Sequence, residues 1–139
     1  MPREDIDLLA SVALFEGLSK RELRAIARVA KQVHFPAGHD IVVEGETAAG
    51  FHLIAKGKAT IVVGGRKRNQ LGSGDYFGEI SLIDGGPRSA TVVAETDVTT
   101  LAISAWQFKP LLVQYPSMMK KMLIELCARL RSTQKIPGI

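Results

Sequence analysis

The chain has 139 residues, of which 46% are hydrophobic, and a formal net charge of +4. That length supports one compact domain with its own core and is too short for two, so we expect a single domain over 1–139. No apolar run approaches the ~20 residues that cross a bilayer, and the acidic start MPREDIDLLA differs from a secretory signal. We therefore expect a cytoplasmic protein without a transmembrane segment.

The positive charge is concentrated near the C-terminus. Residues 1–108 carry 12 basic and 13 acidic side chains, whereas from Lys109 onward six basic residues stand against one acid, Glu125. This pattern is typical of a solvated helix face, and contact with an anion or a membrane surface is the alternative. The single cysteine, Cys127, cannot form an internal disulfide, and we expect it to be buried in an apolar helical pattern.

The first part of the chain predicts two helices over about 5–32. The segment DIDLLASVALF indicates a short one. In LSKRELRAIARVAKQV, Ser19 is followed three residues later by Glu22, which is the spacing of a capping box at a helix start. The apolar face of this second helix consists of Leu23, Ile26, Ala27 and Ala30.

The middle of the chain, about 33–103, predicts antiparallel strands. Short runs rich in β-branched residues, namely IVVE, FHLIAK, ATIVV, TVVA and VTTLAI, alternate with glycine and proline turn signals every seven to thirteen residues. We predict a mainly β fold with flanking helices, arranged as an antiparallel β-sandwich or jelly-roll barrel. The basic segment GGRKRNQ at 64–70 is interpreted as a charged hairpin tip, with phosphate contact as the alternative.

Two helices are predicted at about 105–132. We expect Ser104 to cap a short helix that Pro110 kinks or ends. Ser117 opens the last helix, whose tail STQKIPGI we expect to be loosely held. The apolar stripe of this helix consists of Met118, Met119, Met122, Leu123, Leu126 and Leu130. It either covers the barrel or pairs with a neighbouring chain.

The segment FGEISLIDGGPRSA, at 77–90, interrupts the strands where a hairpin needs only two to five residues. Gly78 allows close backbone approach to a ligand. EISLID is long enough for about one and a half helical turns, and the first N–H groups of a helix have no internal partner. A helix start of this kind favours an anion.

Two charged side chains suggest which anion binds there. The run Gly85-Gly86-Pro87 can reverse the chain and return Arg88 to the helix start, where a guanidinium matches a phosphate with two hydrogen bonds. Glu79 would repel an anion but accepts hydrogen bonds, so the ligand should carry a hydroxyl near its phosphate. A ribose 2′-hydroxyl beside a cyclic phosphate has that relation.

These residues closely resemble the phosphate-binding cassette of the cyclic nucleotide-binding domain family. The family pattern is F-G-E, a small residue and Leu, followed by a short turn and R-[S/T/A]-A. It is present here as Phe77-Gly78-Glu79, Ser81-Leu82 and Arg88-Ser89-Ala90. The resemblance extends over about 8–132, to sensory domains of the cAMP-receptor type and to those of bacterial cyclic-nucleotide-gated channels.

The resemblance implies a role for each cassette residue. Glu79 would bind the ribose 2′-hydroxyl, and Arg88 would bind the exocyclic phosphate oxygens. The remaining cassette residues are expected around the phosphate. Gly78, Ile80, Ser89 and Ala90 would contribute backbone N–H groups, Ser89 would also contribute its hydroxyl, and Ser81 is the small residue of the motif.

The resemblance also implies how the base is held and how binding is reported. The base would lie against Val63, at the end of ATIVV, and be covered by a C-terminal lid helix that moves on binding. Arg129 on that helix could stack on the purine. Because serine rather than threonine occupies position 89, we expect cAMP as the ligand, with cGMP as the alternative.

Two other interpretations remain open. Glu79 and Arg88 could form a structural ion pair in a ligand-blind domain that acts as a protein-interaction module. The chain could also be the sensory part of a transcription regulator, although the residues after Leu130 are too few for a helix-turn-helix, so we expect no nucleic-acid binding by this domain alone. An effector domain or protein partner would then contact the C-terminal helix.

Catalysis is not predicted. The three histidines, His34, His39 and His52, suggest a cupin-like metal enzyme, but the H-x-H pair followed by a glutamate is missing. No Ser, His and Asp set has the spacing of a nucleophilic triad. We therefore expect no enzyme activity, no catalytic residue, no metal and no cofactor besides the nucleotide ligand.

Overall fold

The computed structural model describes residues 3–47 and 50–133. Within them, eight strands form two four-stranded antiparallel sheets, in the orders β1-β8-β3-β6 and β2-β7-β4-β5. The strands are β1 Lys31–Phe35, β2 Asp40–Val42, β3 Gly50–Lys56, β4 Ala59–Val63, β5 Arg66–Leu71, β6 Tyr76–Phe77, β7 Thr91–Ala94 and β8 Val98–Ser104. The helices are α1 Arg3–Ala10, α2 Lys20–Val29, α3 Glu79–Asp84, α4 Ala105–Gln114 and α5 Pro116–Thr133. The predicted class, mainly antiparallel β with flanking helices, is confirmed.

The N-terminal part contains three helical pieces rather than two. After α1, the chain tightens into a 3₁₀ turn at Ala13–Phe15, which buries Leu14 and Phe15. The capping box at α2 is confirmed, because the Ser19 Oγ accepts from Glu22 N at 3.1 Å and the Glu22 Oε1 accepts from Ser19 N at 2.8 Å. The helix ends at Val29 rather than near 32, because Lys31 already pairs with β8.

Sequence analysis missed three strands, β1, β5 and β6. The clearest case is β5, which lies at the edge of its sheet and is exposed at every residue except Leu71. An exposed edge strand carries charged side chains, which discourage pairing with other chains, so its sequence has no apolar alternation. The turn lies at Gly64 and Gly65, with φ of 56° and 78°, and the basic residues after it belong to the strand.

The core has two parts. The larger part lies where the helices pack on the sheet that contains β3, and its centre is Phe15, whose ring centroid is 5.7 Å from that of Phe51 and 6.2 Å from that of Phe108. Leu82 of α3 is fully buried in it, which fixes the cassette helix to the core. The smaller part joins residues of both sheets, namely Val42, Ile54, Ala59, Val92, Ala94 and Val98.

Of the two effects predicted for Pro110, ending the helix is wrong, because α4 continues to Gln114. A kink at Pro110 stays a prediction. Proline at this position removes the N–H that would bond to the carbonyl of Trp106. Trp106 is 76% exposed, so water can satisfy that carbonyl. Ser104 is the N-cap residue, but its hydroxyl bonds to the Gln107 side chain at 2.9 Å instead of to the backbone.

The apolar stripe predicted for α5 is only half buried. Met118 and Met122 are buried, whereas Met119, Leu123 and Leu130 are exposed. Cys127 is also exposed, so the prediction of a buried thiol is wrong. It follows Met122 by five residues, which rotates it by well over 90° away from the buried face.

In the described part of the chain, no helix has the length and hydropathy needed to cross a membrane. Residues 134–139, most of the tail expected to be loosely held, lie outside the described residues. The extent of one domain over 1–139 therefore stays a prediction.

Candidate functional site

Gly78 connects β6 to α3 in a conformation that other residues avoid. Its φ is 84° and its ψ is 12°, in the left-handed region. A Cβ at this position would collide with the Gly50 carbonyl oxygen and lie 2.6 Å from the Arg88 Nη1. Glycine is therefore required both by the backbone angle and by the close packing of β3 and Arg88.

The predicted cassette helix is present as α3, six residues long. The Leu82 N–H makes the first backbone bond of the helix, to the Gly78 carbonyl at 3.0 Å, so the N–H groups of Glu79, Ile80 and Ser81 have no intrahelical partner. At its other end, Gly85 has a φ of 67° and bonds to Ser81 O at 2.9 Å, which reverses the chain as predicted.

Arg88 returns to the start of α3, as predicted, and its side chain is only 7% exposed. Its Nη1 donates to the Gly50 carbonyl at 2.7 Å. Its buried Nε has no hydrogen-bond partner among the described residues. Burial lowers the pKa of the guanidinium, because the charged form loses hydration. A buried cation with an unused donor is suited to bind an anion.

His52 lies beside Arg88, and sequence analysis had considered it only as a metal ligand. It pairs with Phe77 across β3 and β6, and the two rings stack at a centroid distance of 5.3 Å. Its Nδ1 is 2.9 Å from the Thr100 Oγ1. Burial, together with the positive charge of Arg88, lowers the pKa of His52 to about 4. The imidazole is therefore neutral at pH 7 and adds no second charge beside Arg88.

A cavity of about 660 Å³ lies between the cassette and the sheet that contains β4. It is lined by eight of the nine predicted site residues, namely Val63, Gly78, Glu79, Ile80, Ser81, Arg88, Ser89 and Ala90. Sequence analysis missed three aliphatic residues of its apolar wall, Val42, Ile61 and Val92. Ile61 precedes Val63 by two residues, and the period of a strand would have placed both on one face.

The ninth predicted residue, Arg129 on α5, contacts the site through the cassette carboxylate. Its Nη1 donates to the Glu79 Oε1 at 3.0 Å, and its Nη2 lies 3.4 Å from the Tyr76 hydroxyl. Its Nε is 3.6 Å from the Oε1 of Glu125, one helical turn earlier. The ion pair of Glu79 is thus with Arg129, and the alternative of a structural Glu79–Arg88 pair is wrong. Stacking of Arg129 on a purine stays a prediction.

The sequence profile of the cyclic nucleotide-binding domain matches residues 32–115, more than half of the chain. The chain therefore belongs to the cyclic nucleotide-binding domain family, as the cassette predicted. It is a regulatory domain similar to sensors of cAMP and cGMP and to regulators of the CRP type.

Three relatives show in which kinds of protein similar sequences occur. The chain is 38% identical over 102 residues to a cyclic nucleotide-gated potassium channel of Rhizobium etli, covering 73% of the chain and 28% of the channel. It is 37% identical over 100 residues to a cGMP-dependent protein kinase of Toxoplasma gondii, covering 72% of the chain and 10% of the kinase. It is 29% identical over 132 residues to a CRP-like cAMP-activated global transcriptional regulator of Mycobacterium tuberculosis, covering 91% of the chain and 59% of the regulator. The chain spans less than two thirds of each.

Solved structures show the same fold. The N-terminal domain of a transcriptional regulator from Streptomyces coelicolor superimposes with a TM-score of 0.84 at 27% identity, covering 96% of this chain and 99% of that domain. The catabolite activator protein of Thermus thermophilus gives a TM-score of 0.73 at 31% identity, covering 88% of this chain and 60% of that protein.

Proposed function

We propose that this chain is a cAMP sensor that binds the nucleotide in the cassette cavity and reports its presence through movement of α5. The observation that carries the proposal is the buried guanidinium of Arg88, with its unpartnered Nε, at the wall of a cavity of about 660 Å³. Pockets of 300–1,000 Å³ are typical of sites for small ligands. Among the described residues, no carboxylate forms an ion pair with Arg88. The phosphate of a bound nucleotide would supply the missing anion.

The cavity walls support a separate role for each part of the nucleotide. Arg88 would bind the exocyclic phosphate oxygens, and the backbone N–H groups of Gly78, Ile80, Ser89 and Ala90, with the Ser89 hydroxyl, would complete the cradle. Glu79 would accept a hydrogen bond from the ribose 2′-hydroxyl. The base would contact Val63 and the neighbouring apolar side chains of the same sheet.

The preference for cAMP over cGMP depends on position 89. Serine there is common in cAMP-binding members of the family, whereas threonine often accompanies cGMP binding. The relatives include proteins named for each nucleotide, so they favour neither.

Movement of α5 would couple binding to an output. A ligand shifts an equilibrium only if it contacts the two arrangements unequally. Arg129 provides such a contact, because it joins α5 to Glu79, which is the proposed acceptor for the ligand hydroxyl. The output would be received by an effector domain or a protein partner in the cytoplasm, and the domain itself would break no bond.

The test is calorimetric titration of cAMP, and separately cGMP, into protein that has been unfolded and refolded to remove carried nucleotide. We expect one-to-one binding, tighter for cAMP. Arg88→Ala should weaken it roughly 30- to 1,000-fold, because it removes a charge-assisted hydrogen bond to phosphate.

The matched control is Arg24→Ala, an exposed arginine on α2, which should leave affinity unchanged. Folded Arg88→Ala protein with wild-type affinity would contradict the assignment. The absence of heat with either nucleotide would instead favour a ligand-blind interaction module.

A further inference from the structure

The hydroxyl of Tyr76 connects three segments that are distant in sequence. It accepts a hydrogen bond from the Ala13 N–H at 3.3 Å, at the start of the 3₁₀ turn. It also lies 3.4 Å from the Nη2 of Arg129, on α5. Tyr76 itself is in β6 and lines the cavity. Its ring packs on Phe51 at a centroid distance of 5.8 Å, so the phenol has a defined position.

Among the described residues, Arg129 contacts the carboxylates of Glu79 and Glu125, and the phenol favours the first of them. Its guanidinium contacts Glu79 at 3.0 Å and Glu125 at 3.6 Å. Glu125 is one turn away on the same helix, where such a pair forms readily without any tertiary contact. Because the guanidinium is planar and rigid, holding Nη2 at the Tyr76 hydroxyl also fixes where Nη1 points. The phenol therefore directs Arg129 to Glu79.

We infer that Tyr76 is a positioning residue for recognition of the ligand's 2′-hydroxyl, acting through Arg129 on the carboxylate of Glu79. A carboxylate held at one oxygen has its second oxygen fixed in direction, ready to accept from a hydroxyl in the cavity. Loss of the phenolic hydroxyl would release Arg129 towards Glu125 and leave Glu79 less well oriented. This inference rests on the proposed function, since it concerns the same nucleotide site.

The experiment compares the dissociation constants of cAMP and 2′-deoxy-cAMP, measured by calorimetry. Their ratio reports the 2′-hydroxyl contact alone. Tyr76→Phe keeps the ring and removes the hydroxyl, and it should lower the ratio about three- to tenfold while changing the affinity for 2′-deoxy-cAMP little. Tyr115→Phe is the matched control. The Tyr115 ring does not line the cavity and lies instead 5.6 Å from the guanidinium carbon of Arg21 on α2, so this substitution should leave the ratio unchanged.

A second comparison tests whether Tyr76 acts through Arg129. In an Arg129→Ala background, Tyr76→Phe should not lower the ratio further, because the side chain that transmits its effect is absent. A further decrease would mean direct contact with the ligand and would overturn the inference. An equal loss of affinity for both nucleotides in Tyr76→Phe alone would show a general structural role and would also overturn it.

Two further outcomes separate this inference from the proposed function. If the unaltered chain binds neither nucleotide, the proposed function fails and the inference with it. If it binds both equally, nucleotide binding stands but the role of Glu79 and Tyr76 is overturned. Should Tyr76→Phe not fold, Arg129→Lys tests the step through Arg129, because an ammonium lacks the rigid planar fork that joins the Tyr76 hydroxyl to Glu79. An unchanged ratio would then refute the inference.

Discussion

A buried cation beside a neutral imidazole is the main electrostatic feature among single residues. Arg88 is 7% exposed. The pKa of His52 is lowered mostly by burial and in addition by the positive charge of Arg88. If His52 were protonated, its positive charge would lie next to the buried positive charge of Arg88. The fold thus keeps the positive charge of the cassette on one side chain, which is the one proposed to bind phosphate.

This arrangement predicts a loss of stability in mild acid. The pKa of His52 is about 4 in the folded chain against an ordinary value of 6.5, so the unfolded chain binds more protons between these values. This part of the stability should therefore be present above pH 6.5 and decrease as the pH falls from 6.5 to 4, by about 3 kcal/mol. Urea denaturation at several pH values measures this slope.

His52→Gln should remove that part of the slope, because glutamine can bond to Thr100 without titrating. His34→Gln is a matched control, since the His34 Nδ1 makes the same kind of contact, 2.8 Å from the Thr99 Oγ1, on an exposed surface. An unchanged slope in His52→Gln would show that other groups cause the acid sensitivity.

Among the elements, the start of α5 is attached to α2 by a buried carboxylate. Glu22 is 4% exposed, and its Oε2 accepts from the Ser117 Oγ at 2.7 Å while its Oε1 accepts from the Lys121 Nζ at 3.0 Å. Burial raises the pKa of Glu22, but the hydrogen bonds from Ser19, Ser117 and Lys121 outweigh it and hold the pKa at about 2. The residue that caps α2 therefore also fixes α5.

Ser117→Ala tests this attachment. Removing one donor to a buried carboxylate should lower the free energy of unfolding by about 1 to 2 kcal/mol at pH 7, measured by urea denaturation. Because the Glu22 pKa is depressed, its contribution is present above about 4.5 and lost as the pH falls through 2, so the effect of Ser117→Ala should vanish in strong acid.

Ser132→Ala provides the control on the same helix. Its hydroxyl bonds to the Arg129 carbonyl on an exposed surface, at 2.8 Å. We expect its stability to stay within about 0.5 kcal/mol of the unaltered chain. Equal effects of the two serine substitutions would refute a specific role of the Glu22 contact.

For the whole molecule, α5 is held at both ends by different parts of the chain. Glu22 of α2 contacts Ser117 and Lys121 near its start, and Glu79 of the cassette contacts Arg129 near its end. A ligand in the cavity would act on the second contact and leave the first unchanged. The proposed movement of α5 should therefore be larger at its last turns than at its first.

Distances between pairs of spin labels, measured by double electron–electron resonance, can show whether the last turns of α5 move more than the first. Cys127 is the single cysteine and is exposed, so Arg24→Cys on α2 completes one labelled pair. We expect saturating cAMP to change the distance between 24 and 127. In a Cys127→Ser background, the pair formed by Arg24→Cys and Lys120→Cys should change much less. Equal shifts in both pairs would indicate rigid-body motion of α5 instead.

Local patterns were sufficient for the parts of this protein that fold from neighbouring residues. The capping box of α2, the cassette helix and the reversal before Arg88 each depend on residues within about ten positions of one another, so the sequence predicted them correctly. Strands rich in β-branched residues were found, and the F-G-E and R-S-A segments were enough to assign the family. These features were determined by the sequence alone.

The tertiary structure decided which distant groups meet. Arg129 is 50 positions from Glu79, and Arg88 is 38 positions from Gly50, so no local period indicates either contact. The same holds for His52 beside Arg88 and for the exposure of Cys127. Each of these depends on how helices and sheets are placed relative to one another, which is set by burial of the whole core rather than by any short segment.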